Sequence, residues 1–492
     1  MKTPPVKSAS TEIAVYGLLA VFALLFLISL PGRSMQVDDA WLGEQAYWLS
    51  QDGYVRSELF RGPLGYEEGQ MVYHKLFIMI GAAAIRIFGW SLYVLKDVSL
   101  LFYAIFVLTS YIYFQRNRDR FTRGDFWVFN LLMISMPLTF KYAYIFRPEI
   151  TVMALGFLSF HFLTQGLKAR SAEYCALAGV LAGLGLLTHL NGWTLILAGT
   201  VLLAANRRYR LAFIFGVSAC AVSLLYLYNL TSAENLKLFR DQISKDPAME
   251  HMDFSVWRNV LKAAYEHQRF FHSPKEIFTS VVLALSLVFS WRELTRRHRD
   301  LLVYLVTLVV ALAIFSRPRP TYYMLIYMPY IFLTVTIALK NRGGMGAIRR
   351  NILLAAAALY FAYGLYYAAG IIQARNGLPK ANREIAAYVA PGSRVAAPVS
   401  FIYNEICNYR IQGLTLYAQA AHHEGIELTG ETLFQMARAY DNAYVILDDE
   451  YIDLLGLAGM TEGGSIGDYV LIRAMDHALV FAAAPAQGYE PE

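Results

Sequence analysis

Residues 11–49 read "TEIAVYGLLAVFALLFLISLPGRSMQVDDAWLGEQAYWL". The stretch opens with an apolar run over residues 12–31, long enough to cross a hydrocarbon core of about 30 Å at about 1.5 Å per helical residue. The run ends in "SLPGRS" with no small-x-small cleavage site, so it reads as a retained signal anchor rather than a cleaved leader. Two adjacent aspartates, Asp38 and Asp39, follow within a few residues. Like charges side by side near a membrane repel each other and resist desolvation, so the pair needs a local reason. A helix starting at "DDAWLGEQAYWL" supplies one, because the N-terminal end of its dipole favours negative charge. Capping needs a single carboxylate. Asp39 is therefore read as a cap or an orienting residue, and Asp38 is left for chemistry.

Composition agrees with a membrane setting. Of 492 residues, 57% are hydrophobic and 16% charged, against roughly 45–50% and about 25% in soluble domains. The chain reads as an α-helical polytopic membrane protein. A net charge of +6 without a long basic run is loop charge, and no nucleic acid is expected as a partner. Three cysteines, Cys175, Cys220 and Cys407, make neither a metal motif nor a disulfide framework.

Apolar segments near residues 12–31, 92–114, 126–143, 149–167, 174–189, 191–205, 211–229, 276–291, 301–315, 321–339 and 352–372 predict about eleven transmembrane helices. With the N-terminus inside, the short cytoplasmic connectors carry seventeen Lys and Arg and the short outer connectors four. The positive-inside rule thus gives a cytoplasmic N-terminus and an extracytoplasmic C-terminus. Two long outer loops, 32–91 and 230–275, are expected to be structured. The first holds "LFIMIGAAAIRIF" (76–88), too short to span, and the second an amphipathic "FSVWRNVLKAAYEHQRFFHSP". Residues 1–375 form the membrane domain, and residues 376–492 read as a small extracytoplasmic α/β domain, with helices at "NREIAAYVA" and "GETLFQMARAY" and strands at "SRVAAPVS", "NAYVILDD" and "DYVLIRAMD". "AAAPAQGYEPE" reads as a frayed tail.

On that topology the polar residues at the outer helix ends form one ring: Asp38, Asp39, Glu44, His74, Lys75, Lys96, Asp97, Lys141, Arg147, Glu149, His189, Asn191, Arg317 and Arg319. Any single member is a plausible interfacial anchor. The ring of acids and bases together is a candidate site, in which an ionised carboxylate serves as a base and Lys75, Arg317 and Arg319 stabilise a leaving phosphate.

These residues resemble the GT-C glycosyltransferases of the protein mannosyltransferase and aminoarabinose transferase type, the families numbered 39 and 83. The resemblance rests on "VDDAWLGEQAYWLSQDGYV", on "VYHKLFIMIGAAAIRIFGWSLYVLKDVSLLF", on "FRPEI" opening a helix, and on "RPRPTYYMLIYMPYIFL". Asp38 matches the family's catalytic Asp, with Asp39 in place of a Glu. Lys75 matches a Lys that two prolines follow, here replaced by Leu76 and Phe77. Phe88 and Gly89 match a Phe-Gly pair, Lys96 stands for an Arg, and Glu149 matches the second acid. The resemblance implies a GT-C fold and transfer of a sugar from a polyprenyl-phosphate donor to a glycolipid, polysaccharide or protein acceptor at the outer face of the inner (plasma) membrane. It implies catalytic roles for Asp38, Asp39 and Glu149 and donor-phosphate contacts from Lys75, Arg147, Arg317 and Arg319. His74, Lys96, His189, Asn191 and Tyr322 are the expected substrate contacts. A single displacement by an acceptor that Asp38 activates inverts the anomeric centre. The resemblance leaves metal use open, since some GT-C enzymes use a divalent metal ion and others do not; His74, His251, His267 and His272 reach such a site only if folding gathers them, and a structural or incidental role for each is the alternative. A lipid or sugar-lipid transporter or flippase is the alternative. It calls for ionisable residues at helix midpoints and for paired half-repeats, and the sequence has its charges at one face and no repeat.

Overall fold

The first apolar run folds as α1 (Ala9–Ser29) with a 3-10 turn at Leu30–Gly32, and α2 (Val37–Asp52) follows. The structure is a computed structural model that describes residues 9–33, 35–245, 256–316, 320–374 and 378–484. α2 starts at the aspartates because Asp39 Oδ2 accepts from the Gln36 backbone N–H at 3.0 Å, and it ends at Gly53 with φ 80°, a left-handed cap that glycine adopts freely. α3 (Lys75–Phe88) is the short apolar helix of the first loop. It lies close on α2 and the loop before α7, and a Cβ at Gly81 would come within 2.6 Å of the Phe146 ring and 3.1 Å of Ala46.

The bundle continues as α4 (Leu92–Arg116), α5 (Arg123–Ser135), α6 (Pro137–Tyr142), α7 (Pro148–Ala169), α8 (Ala172–Thr188), α9 (Trp193–Ala205) and α10 (Tyr209–Ser223). Three shorter helices, α11 (Ala233–Lys245), α12 (Val256–Ala263) and α13 (His267–Phe271), lead to α14 (Pro274–Arg297), α15 (Arg299–Phe315), α16 (Met328–Lys340) and α17 (Ala347–Gln373). Every apolar segment read from the sequence lies on a helix. Six of them, on α1, α4, α7, α10, α14 and α17, are long and apolar enough to cross a membrane unaided among the described residues. The chain is a multi-pass membrane protein. The others are shorter or broken. Residues 126–143 divide at Met136, whose ψ of 124° is the extended setting that the following Pro137 imposes. Residues 321–339 divide into a 3-10 turn at Thr321–Ile326 and the 13 residues of α16.

Lipid tails are as apolar as leucine, so close packing holds such helices together rather than exclusion of water. Small residues let α8 and α10 approach, since a Cβ at Gly179 or Gly183 would sit 2.3 or 2.6 Å from a carbonyl oxygen of α10. The core between α4, α5, α7, α15 and α16 is aromatic, with Phe106, Phe129, Phe157, Tyr304 and Tyr330 fully buried.

Beyond α17 come α18 (Leu378–Ala386), β1 (Arg394–Ala397), α19 (Ile402–Glu405), β2 (Arg410–Gly413), α20 (Leu414–Glu424), α21 (Gly430–Ala439), β3 (Tyr444–Asp448), α22 (Asp449–Leu454), β4 (Ser465–Ile466), β5 (Tyr469–Met475) and β6 (Ala478–Ala483). The strands form one sheet in the order β2-β1-β3-β6-β5-β4, parallel where β1 meets β2 and β3 and antiparallel elsewhere. The predicted strands occupy β1, β3 and β5. β2 and β6 went unread, and β6 runs into the segment read as tail, where Ala482 and Ala483 pair with β3 and β5.

The sheet unit is seated on the first loop. Ile385, Val395, Ile402 and Ile411 share an apolar cluster with Leu42, Phe77 and Leu95. Around it, Gln412 Nε2 donates to the Arg61 carbonyl at 2.7 Å, Gly413 N to Leu59 at 3.0 Å, and Arg61 Nη2 to Asn442 Oδ1 at 2.9 Å. The Tyr403 hydroxyl donates to the carbonyl of Gln36, two residues before Asp38.

Candidate functional site

Asp39 is fully buried and builds the site's frame. Its Oδ1 accepts from the Phe146 backbone N–H at 2.6 Å, while Oδ2 caps α2 and lies 3.4 Å from Lys96 Nζ. One carboxylate thus ties the start of α2 to α4 and to the loop ahead of α7. Burial pushes its pKa up, against the opposing charge of Lys96 and the two backbone donors. The next residue of that loop is Arg147, the N-cap position of α7, and Pro148 and Glu149 form that helix's first turn. Ser99 holds the loop from α4 by donating to the Ile145 carbonyl at 2.6 Å.

Arg147 joins the two acids. Its Nη2 and Nε donate to Glu149 Oε1 and Oε2 at 2.8 and 3.1 Å, a bidentate fork, and its Nη1 donates to Asp38 Oδ2. Tyr322 lies under the guanidinium at 3.8 Å and Tyr142 at 5.9 Å. The two carboxylates differ in access. The Glu149 side chain is 1% exposed and that of Asp38 37%, so Asp38 is the open carboxylate of the triad.

Two histidines adjoin it. His74, ahead of α3, stacks on His189, behind α8, with centroids 4.6 Å apart and planes 18° apart. His189 Nδ1 accepts from the Asn191 N–H at 2.9 Å, and its ring meets Tyr323 edge-on at 5.3 Å. Burial and the His189 ring hold His74 well below its ordinary value, with Glu149 opposing them.

Lys75 belongs to a second group. The residue is 2% exposed, and its amine donates to the Met71 carbonyl at 3.1 Å and to Asn229 Oδ1 at 2.7 Å. The rings of Tyr73, Tyr226 and Tyr228 surround it at 4.2, 4.9 and 5.1 Å, and the Tyr73 and Tyr228 hydroxyls are 2.7 Å apart. Among the described residues no carboxylate pairs with Lys75, and burial pulls its amine down to about 7.

The structure therefore gathers Asp38, Arg147, Glu149, His74, His189, Asn191 and Tyr322, sets Asp39 and Lys96 beneath them as a buried pair, and puts Lys75 in a tyrosine box. Arg317, Arg319 and His251 lie outside the described residues. Glu44, another member of the ring, is taken up by the loop: it accepts from Trp48, Ser57, Glu58 and Leu59 at 2.6–3.1 Å. Sequence reasoning missed Tyr142, Tyr323 and the tyrosine box. The signal for the box was "YLYN" at 226–229, an alternation of aromatic residues closing an apolar run.

A divalent ion needs a cluster of hard or imidazole ligands. Among the described residues no three His, Cys, Asp or Glu side chains gather to hold one. Asp38 and Glu149 are both paired with the Arg147 guanidinium. The donor set among the described residues does not fit a resident metal.

No protein-family profile matches the chain, and no curated protein matches it in sequence. Solved structures do match it. ArnT from Cupriavidus metallidurans bound to undecaprenyl phosphate superposes with a TM-score of 0.63 at 13% identity over 97% of this chain and 100% of that one. The chain has the GT-C fold. Archaeal oligosaccharyltransferase AglB from Archaeoglobus fulgidus, in complex with an inhibitory peptide and a dolichol-phosphate, gives 0.51 at 15% identity over 97% of this chain and 75% of that one. Arabinofuranosyltransferase AftD from Mycobacteria gives 0.50 at 14% identity over 96% of this chain and 40% of that one. What is shared at this identity is the fold.

Proposed function

We propose that this GT-C protein transfers a sugar from a polyprenyl-phosphate donor to an acceptor at the outer face of the inner membrane. The observation that carries the proposal is the Arg147 bridge between a sealed carboxylate, Glu149, and an open one, Asp38, at the start of α2. Glu149 and Tyr322 fix the guanidinium, and the guanidinium fixes Asp38. A carboxylate held this way and reachable by substrate suits a general base.

In the reaction proposed, Asp38 takes the proton of an acceptor hydroxyl or amine. The acceptor atom then attacks the anomeric carbon, the bond from that carbon to the phosphate oxygen breaks, and polyprenyl phosphate leaves with the electron pair. Inversion follows from a single displacement. Lys75 is the proposed cation for the leaving phosphate, because a buried amine without a carboxylate partner gains most from an incoming anion. Arg147, Arg317 and Arg319 are assigned to the same charge, and His74, His189 and Asn191 to the sugar or acceptor. The donor class is supported by the lipid phosphates bound to ArnT and AglB, and the outer location by the basic inner connectors.

The test is sugar transfer from a labelled lipid-linked donor in membranes containing Asp38→Asn at wild-type abundance. A general base contributes about 10²–10⁴-fold, so transfer is expected to fall by at least about a hundredfold. Transfer at the wild-type rate sinks the assignment.

A further inference from the structure

The distal sheet unit holds a cavity that the transfer steps do not use. β1 and β3 run parallel side by side, with Val395 against Tyr444 and Ala396 against Val445, so both end at the same edge of the sheet. From that edge the chain leaves β1 for β2 on one side and β3 for β4 on the other. Connections that diverge in this way open a crevice at the carboxyl ends of the strands, the place where open α/β sheets bind ligands. A half-open cavity of about 510 Å³ lies there, a volume that suits a small molecule.

The register of the sheet assembles its polar wall. Asp448 ends β3 and pairs with Ala478, the first residue of antiparallel β6, so the β5–β6 turn brings His477 to the same wall. Asp449 and Glu450 follow Asp448 into α22, and α18 supplies Asn382, whose Nδ2 donates to the Ser400 carbonyl at 2.9 Å. Two polar atoms of this wall are left over. Asn382 is 4% exposed, and its Oδ1 accepts no hydrogen bond among the described residues. The Nε2 of His477 is buried, also without a partner among the described residues. Unpaired buried polar atoms are costly, and a ligand in the cavity removes that cost.

Charge decides the kind of ligand. Asp448, Asp449, Glu450 and Glu384 line the cavity with a single lysine, Lys380, which is tied to Glu384 at 3.7 Å. The other three acids form no ion pair among the described residues. Burial pushes the Asp448 carboxyl up, with the Tyr451 N–H opposing and the charges of Glu450 and Asp449 adding to it. Such a cavity repels an anion and draws in a cation. No three His, Cys, Asp or Glu side chains among the described residues gather as metal ligands, so an organic cation fits better than a metal ion. Leu378, Ile385, Phe401 and Ile446 complete the wall and suit a chain of methylenes.

We propose that the cavity at the ends of β1 and β3 binds an aliphatic amine, its ammonium group on Asp448 and the neighbouring acids and its carbons on the apolar wall. The site is separate from the Asp38 triad, and the proposal stands or falls independently of sugar transfer.

Calorimetric titration of putrescine into the full chain in phosphatidylcholine nanodiscs, against empty nanodiscs, tests it. Saturable binding is expected, and none for butane-1,4-diol, which has the same carbon chain without the charges. Asp448→Asn keeps an oxygen for the Tyr451 N–H, which Asp448 Oδ1 accepts at 3.3 Å, and removes only the charge. It is expected to weaken binding about tenfold or more. Glu450→Gln, at an exposed side chain, is expected to weaken it as well. Putrescine that does not bind saturably, or that binds both variants as it binds wild type, overturns the proposal. Equal binding of butane-1,4-diol refutes the ammonium contact, and displacement of putrescine by calcium at lower concentrations than putrescine itself requires makes the cavity a metal site instead.

Discussion

Replacing Arg147 with methionine removes the only side chain that forms an ion pair with Glu149 among the described residues. The glutamate side chain is 1% exposed, so the variant holds a buried carboxylate that has lost both bonds of the fork. Breaking a buried pair from one side costs about 3–5 kcal/mol, whereas replacing both partners with apolar residues is often near neutral. With an unfolding entropy of about 2.1 cal/mol/K per residue, a 492-residue chain that melts as one unit loses roughly one degree per kcal/mol. Arg147→Met is thus expected to melt about 3–5 °C below wild type. The double variant Arg147→Met/Glu149→Met is expected within about 1 °C of wild type, a coupling of about 2 kcal/mol or more. Intrinsic tryptophan fluorescence during heating in detergent reads all the corners of the cycle. A single variant that melts with wild type, or a double variant that adds the losses of the two singles, refutes the idea that the bridge compensates a buried charge.

Lys75 carries the opposite signature. Its folded amine sits at about 7 against an ordinary 10.5, so the unfolded chain binds the extra proton between those values and stability rises with pH through that window. Lys75→Met is expected to melt above wild type at pH 7, to lose the rise between pH 7 and 10, and to lose polyprenyl phosphate binding; a wild-type melting point flat over that range refutes the burial argument. Asp39→Ala takes the carboxylate from Lys96 and the acceptor from the Phe146 N–H, and it is expected to cost about 3–5 kcal/mol by the same reasoning about buried pairs. Asp38→Asn, at a side chain 37% exposed, is expected to melt within about 1 °C of wild type, since half-exposed pairs contribute about 0–1 kcal/mol; thermal melts of the two variants side by side read the difference.

The bundle was legible because each apolar run is long compared with a turn, and its composition alone marks it. Breaks inside runs were less so: Pro137 sits in an otherwise unbroken apolar stretch, and only the extended Met136 ahead of it shows that α5 and α6 are separate helices. In the distal sheet, β2 is four residues with a charged start and β6 is mostly alanine and valine, so neither carries the alternation that identifies a strand. At the site, residue type and helix-end position were enough to collect the ring of acids and bases. They did not say which members touch. Tyr73 meets Tyr228 across 155 residues of chain and Asp38 meets Arg147 across 109, and pairings at that separation are set by how the helices pack.

The two aspartates show how adjacency in sequence becomes a division of labour. Successive residues on a helix lie on different faces and do not share partners. At the start of α2 the first carboxylate lies at the rim of the bundle and the next points into it. Asp39, fully buried, fixes the distance between α2, α4 and the loop that carries Arg147. That distance is what brings the guanidinium to Asp38. The buried partner thus sets the geometry in which the exposed one acts. A change of Asp39 that keeps its acceptors but moves them by one methylene, Asp39→Glu, is expected to displace the Phe146–Arg147 loop and to slow transfer more than it lowers stability. Equal losses in the two, read as transfer rate and melting point on the same preparation, identify Asp39 as a structural residue with no positioning role.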